Sequence, residues 1–284
     1  MEAMRQIAAQ TVEDTVCRLF LEASYNIGDD IYRRVCAAQA DEPSPIGASV
    51  LEQLRQNYDI ARDEQTPICQ DTGMAVLFIR YGQRVQLTGG SFADAVQQGV
   101  RRAYDVGLLR KSVVDDPLYE RKNTGDNTPA VLHTEITDGD TIEILVTPKG
   151  FGSENMGGIA LLTAADGEQG VVDFVVQMVR RAGPNPCPPI VVGVGIGGTM
   201  EKAALLAKLA TARSTDIRNP HPRYAALEAL LLEQINKTGI GPAGLGGHTT
   251  ALAVNVEQFP THIAGMPVAV NICCHAARHA YGVI

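Results

Sequence analysis

This 284-residue chain has no run approaching ~20 uninterrupted apolar residues, the length a membrane-spanning helix needs. Its N-terminus, MEAMRQIAAQTVEDTV, carries acids and polar residues where a signal peptide needs an apolar stretch. A cytoplasmic location with no membrane contact is therefore expected. There is no basic excess either: Lys and Arg total 24 against 32 Asp and Glu, for a net charge of −8. A broad nucleic-acid surface needs the opposite balance. A small anionic substrate does not, because a few cations gathered in one pocket override the global sign. The six cysteines include no C-x-x-C pair, the usual sign of a structural zinc site. No tandem repeat, low-complexity tract or linker is visible, which predicts one continuous domain over residues 1–284 with a helical segment over about 1–60.

What is present is an ordinary globular composition, 45% apolar and 20% charged, sufficient for a sizeable core. Val12, Val16, Leu19, Phe20 and Ala23 recur at helical spacing. Further helices are predicted around residues 49–58, from Ser91 with Asp94 as capping partner, across Val171–Val179, from Thr199 to Leu209, and over 224–235. Residues 74–79, 141–146, 190–196, 251–256 and 263–272 read as strands. The segments 147–158 and 239–250 read as glycine-rich loops, and the prolines of GPNPCPP forbid both helix and central strand. The pattern is α/β in the mixed α+β sense, with helices packed around a mixed sheet and the cysteine-bearing loops at one end.

Three cysteine settings stand out: Cys69 in PICQDTG, Cys187 in NPCPP, and Cys273-Cys274 in NICCHAARHA. Each is a loop or an element end, where a thiolate can face a cavity. The simpler reading, a small buried hydrophobe, suits Cys17 and Cys36 in the helical N-terminal third. Electron-transfer clusters usually have four cysteine ligands. Three thiolates far apart in sequence fit a 4Fe–4S cluster with one iron left open as a Lewis acid, which spacing alone makes possible. Around them lie Gln70 and Asp71, the cations Arg110, Lys149 and Arg278, and His262 ahead of a strand leading to Cys274. The small residues of GFGSEN offer backbone N–H groups to an anion.

Residues 193–198, GVGIGG, match G-x-G-x-x-G, and Asp216 follows at roughly the distance of a ribose-binding acid. No clear second strand ends at Asp216, so close packing of the following helix on its strand accounts for these glycines better.

These residues together resemble the α subunit, or N-terminal domain, of class I iron–sulfur fumarate hydratases and the related L-tartrate dehydratases. The resemblance is carried by PICQDTG (67–73), RKNTGDNTPA (121–130), KGFGSEN (149–155), NPCPP (185–189), GIGGT (195–199), GPAGLGG (241–247) and the stretch from PTHIAG to CHAAR (260–278). It implies that Cys69, Cys187 and Cys274 ligate a 4Fe–4S cluster, Cys274 being chosen over Cys273 by the C-x-A-x-R pattern with Ala276 and Arg278. It also implies that Gln70, Asp71, Arg110, Gly152 and His262 line a dicarboxylate pocket, beside the candidate cation Lys149. Asp71 is the candidate for proton transfer. A separate β subunit is expected to complete the site, in an α2β2 or similar assembly. The leading reaction is reversible hydration of fumarate to (S)-malate, with L(+)-tartrate dehydration as the alternative. A nicotinamide-dependent dehydrogenase and a non-catalytic metal-bound scaffold are the readings from other classes.

Overall fold

A computed structural model describes residues 4–284. In chain order the elements are β1 (Arg5–Ala8), α1 (Ala9–Tyr25), α2 (Asp29–Asp41), α3 (Pro45–Glu64), β2 (Met74–Gly82), β3 (Val85–Thr88), α4 (Phe92–Val106), β4 (Val131–Thr137), β5 (Ile142–Lys149), α5 (Phe151–Glu154), β6 (Gly158–Leu162), α6 (Gly167–Ala182), β7 (Ile190–Gly197), α7 (Met200–Ala212), α8 (Pro222–Asn236), β8 (Ala251–Phe259), β9 (Met266–Cys273) and β10 (Ala280–Val283). No helix among the described residues is long and apolar enough to cross a membrane. Mixed α/β architecture is thus what the patterning predicts and what the chain adopts. Two units interleave along it. One takes residues up to Ile27, Ile60–Gly150 and Arg278–Ile284; the other takes Gly28–Asp59 and Phe151–Ala277.

In the first unit the apolar face of α1 is fully buried at Val12, Val16, Leu19, Phe20 and Ala23. It packs against Val96, Val100, Ala103 and Tyr104 of α4 and against Leu77, Ile79, Ile142, Ile144 and Val146 of the sheet. Ser91 caps α4 through its hydroxyl, which accepts the Asp94 N–H at 3.4 Å. The sheet order is β10-β5-β2-β4, with β2 antiparallel to β5 and parallel to β4. Sequence patterning does not predict the edge strands β4 and β10 or the small β1–β3 pair. The β4 residues are mostly exposed and polar, so they carry little apolar alternation.

In the second unit the order is β6-β9-β7-β8, and all eight residues of β7 are buried. Strand side chains alternate between faces. Ile190, Val192, Val194 and Ile196 therefore join Val175 and Val179 of α6 and Leu227, Leu231 and Ile235 of α8 in one core. The opposite face meets α7 at Gly193 and Gly195. A Cβ at Gly193 would lie 2.1 Å from the Ala207 carbonyl oxygen, and one at Gly195 2.0 Å from that of Ala203. The space beside Gly193 and Gly195 of GVGIGG is thus filled by a helix backbone. Asp216 lies between α7 and α8, outside any strand, and pairs with Arg33 at 2.6 Å. Neither feature of a dinucleotide site is present there.

Candidate active site

In the first unit the candidate residues collect at one end of the sheet. PICQDTG leads straight into β2, whose first residue, Met74, pairs with Lys149 at the end of β5. The turn before the strand is tied down from several sides. The Asp71 carboxylate accepts the Gly73 N–H at 3.0 Å through Oδ1. The Tyr104 hydroxyl donates to the Gly73 carbonyl at 2.7 Å, and Asn127 Nδ2 donates to the same oxygen at 3.1 Å. Burial pushes the Tyr104 phenol above its ordinary value, so it remains a donor. Gly73, at φ +81°, runs so close to the Lys149 backbone that a Cβ would sit 2.7 Å from it. Arg110 is exposed, and its carbonyl accepts the Thr72 hydroxyl at 3.2 Å. The Cys69 thiol is part-exposed and lies 3.4 Å from Gln70 Oε1.

Two cations at this end are buried. Lys149 is 1% exposed and donates to the Gly150 carbonyl at 3.2 Å. Arg278 is 2% exposed and donates through Nη2 to the Asp71 carbonyl at 2.8 Å. The sequence marks Arg278 only as the last residue of C-x-A-x-R and as a cation near a loop. Its contact with Asp71, 207 positions away, has no local signal. Asn127 belongs to the RKNTGDNTPA motif but not to the candidate residues; it is fully buried at φ +61° and also accepts the Ser112 and Val113 N–H groups.

In the second unit Cys187, Cys274 and Gly152 share one end of the sheet. Cys187 is exposed at φ +53° on the loop before β7. Cys273 pairs with Val191 at the start of β7 and is 5% exposed, whereas Cys274 is the first residue past β9 and part-exposed. The Cys187 carbonyl is 3.5 Å from the His275 N–H, and the Tyr58 hydroxyl stands 3.1 Å from both the His275 carbonyl and its Nδ1. A Cβ on Gly152 would lie 3.7 Å from the Asn185 carbonyl, two residues before Cys187. KGFGSEN is not the plain loop predicted. Lys149 ends a strand and residues 151–154 form the short α5, because its backbone closes on Asn155 N–H to Phe151 O at 3.1 Å.

GPAGLGG braces the cysteine loop. The Ala243 N–H donates to the Pro188 carbonyl at 2.8 Å, and Gly244 passes too close to Pro184 for any side chain. Glu42, 7% exposed, holds the end of this motif by accepting His248 N–H at 2.9 Å, Thr249 N–H at 2.9 Å and Ser44 N–H at 3.3 Å. Burial pushes its carboxyl up, but these donors outweigh burial and hold it below the ordinary range. Its contribution to stability is therefore complete above the unfolded value of ~4.3 and is lost as pH falls through the lower native value. Glu42→Gln is expected to cost about 1.5–3 kcal/mol at pH 7 and to flatten the acid limb below about pH 4. Urea unfolding across pH checks both; an unchanged acid limb contradicts this role.

His262 does not join these residues. It is exposed in the turn before β9, with Nδ1 accepting the Ala264 N–H at 3.2 Å. Cys274 follows the other end of the same strand, roughly 23 Å away along it. The register places them at opposite ends of the strand: Val268 pairs with Ile196 at the far end of β7, Cys273 with Val191 at the near end. Proximity in sequence hid this because an eight-residue strand separates them.

The donor chemistry of the three remaining thiols fits an iron–sulfur cluster. Cys69, Cys187 and Cys274 stand on loops or just past a strand and are part- or fully exposed, whereas Cys17 and Cys273 are buried within α1 and β9 and the part-exposed Cys36 lies within α2. Among the described residues, no three His, Cys, Asp or Glu side chains gather about a single-ion position.

Comparison with known proteins gives the context. The family model described as fumarate hydratase (fumerase) matches residues 13–283. A Methanocaldococcus jannaschii protein named "Putative L(+)-tartrate dehydratase subunit alpha" is 38% identical over 273 residues, covering 95% of this chain and 96% of that one. The Escherichia coli (strain K12) protein named "L(+)-tartrate dehydratase subunit alpha" is 33% identical over 279 residues, covering 98% of this chain and 92% of its own length. With a family model spanning residues 13–283 and relatives aligned over nearly the whole length, the chain belongs to the fumarate hydratase family and is a hydro-lyase.

Proposed function

We propose that the chain is the α subunit of a cytoplasmic L(+)-tartrate dehydratase, completed by a separate β subunit in an α2β2 or similar assembly. The observation that carries this is the name borne by the relatives that align over nearly its full length. The motifs alone do not separate the two reactions, whose hydroxy-acid substrates, tartrate and malate, differ by a single hydroxyl; the relatives' names put tartrate ahead of fumarate hydration.

In this reading Cys69, Cys187 and Cys274 hold a 4Fe–4S cluster. When bound, it supplies Lewis acidity at the departing hydroxyl through an iron that no cysteine occupies. The chain's residues do the rest. Gln70, Arg110 and Lys149 hold the carboxylates, and the Gly152 backbone meets the substrate where a side chain would obstruct it. Asp71 takes the proton from the carbon bearing the second hydroxyl, its orientation set by the Gly73 N–H. The cations stabilise the electron-rich carboxylate formed as that proton leaves. The hydroxyl departs with a proton as water, and the remaining enol rearranges to the keto acid.

The test is anaerobic assembly with the β subunit and assay on L(+)-tartrate, fumarate and (S)-malate. A higher kcat/KM on tartrate is expected; a clear preference for fumarate and malate returns the function to fumarate hydratase. In the same complex Asp71→Asn is expected to lower kcat by about 10²–10⁴, and retention of full turnover contradicts its role.

A further inference from the structure

We propose that Lys208 and Asn271 are positioning residues of the hydro-lyase: through the Glu154 carboxylate they fix the backbone of residues 151–157, and with it Gly152. The inference rests on the reading above that Gly152 lines the substrate pocket.

α5 has four residues, far too few for a helix to persist by its own hydrogen bonds. Its last residue, Glu154, is engaged at both oxygens. Oε1 takes the Lys208 ammonium, a charge-assisted contact from α7. Oε2 takes Asn271 Nδ2 at 3.0 Å, from β9. Three elements distant in sequence thus meet on one carboxylate two residues after Gly152. Lys208 is unusually enclosed for a lysine, its side chain being 18% exposed. Asn271 is 8% exposed, and its Oδ1 is buried without a hydrogen-bond partner. A side chain present only to fill space would carry no such cost. Asn271 also precedes Cys274 by three residues and pairs with Gly193 in the rigid centre of the sheet. Past α5, Gly157 passes close enough to β9 that a Cβ would stand 2.8 Å from the Val270 carbonyl oxygen. Glu154 in the middle and Gly157 at the C-terminal end therefore seat this segment against β9, the strand that leads to Cys274.

The experiment compares wild type, Lys208→Met, Lys208→Arg and Glu154→Gln in the assembled complex, by amide hydrogen exchange of 151–158, iron content and steady-state kinetics. Lys208→Met is expected to speed exchange in that segment about tenfold and to lower kcat/KM about tenfold, mainly through KM, at unchanged iron content. Glu154→Gln should behave similarly, and Lys208→Arg should restore both. Unchanged exchange in Lys208→Met and Glu154→Gln overturns the proposal, as does faster exchange with unaltered kcat/KM. A wild-type complex inactive on all three acids would defeat the proposed reaction instead, and exchange would still decide whether Lys208 fixes the segment.

Discussion

Cys274→Ser is expected to lower turnover of the assembled complex by at least about 10³-fold, and Cys187→Ser by a similar factor, with each variant still folded. The reason is ligand chemistry. A thiolate is soft and forms at moderate pH, whereas a serine hydroxyl is hard and stays protonated, so iron held by sulfur is released. Folding should survive because Cys187 is exposed and Cys274 part-exposed; neither fills a core position. The adjacent residue supplies the control. Cys273 is 5% exposed inside β9, paired with Val191, so Cys273→Ser places a hydroxyl in a packed strand and costs about 1–3 kcal/mol of stability. It should leave the iron content alone. Circular dichroism, thermal unfolding and turnover measured side by side separate the two effects. Turnover lost in Cys273→Ser and kept in Cys274→Ser would exchange their roles.

The largest structural effect is expected from Gly195→Val. A Cβ there would stand 2.0 Å from the Ala203 carbonyl oxygen and 2.6 Å from the Ala207 backbone nitrogen, and both belong to a helix that cannot yield locally. Ala203, Ala207 and Ala269 are already small, so no side chain can retract to make room. Separating α7 from β7 opens the centre of the second unit, at a cost above about 4 kcal/mol. The variant should accumulate as insoluble or unfolded chain, with a collapse of the thermal transition as the measured sign. A folded Gly195→Val protein that had merely lost affinity for a nucleotide would revive the dinucleotide reading.

Residue patterns carry structural information where burial and spacing coincide. The apolar faces of α1, α4 and α6 are legible for that reason at Val12, Val16, Val96, Val100, Val175 and Val179. The buried strand β7 is legible from its continuous apolar run. GVGIGG matches a ligand-binding pattern on paper; the lack of a strand ending at Asp216 already favours packing, and the position of the α7 backbone against Gly193 and Gly195 accounts for it. Edge strands such as β4 and β6 bury one face at most and leave little periodic signal. In the candidate site the individual motifs stand out, since a cysteine set among prolines, as Cys187 is, cannot belong to a regular helix or a central strand. The contacts between motifs do not. Arg278 on the Asp71 carbonyl, Glu42 on the 248–249 amides, and Lys208 with Asn271 on Glu154 are long-range pairings that no local pattern encodes. His262 shows the converse, a residue near Cys274 in sequence that the strand places at its opposite end.

The proposed mechanism requires three thiols to share one cluster, and the most direct measurement is iron and acid-labile sulfide per chain after anaerobic purification. About four of each are expected for wild type, with a brown colour lost in air, and a large drop in both for Cys69→Ser, Cys187→Ser and Cys274→Ser alike. Wild-type protein that turns over its substrate with neither iron nor sulfide, or iron content indifferent to all three substitutions, would contradict it.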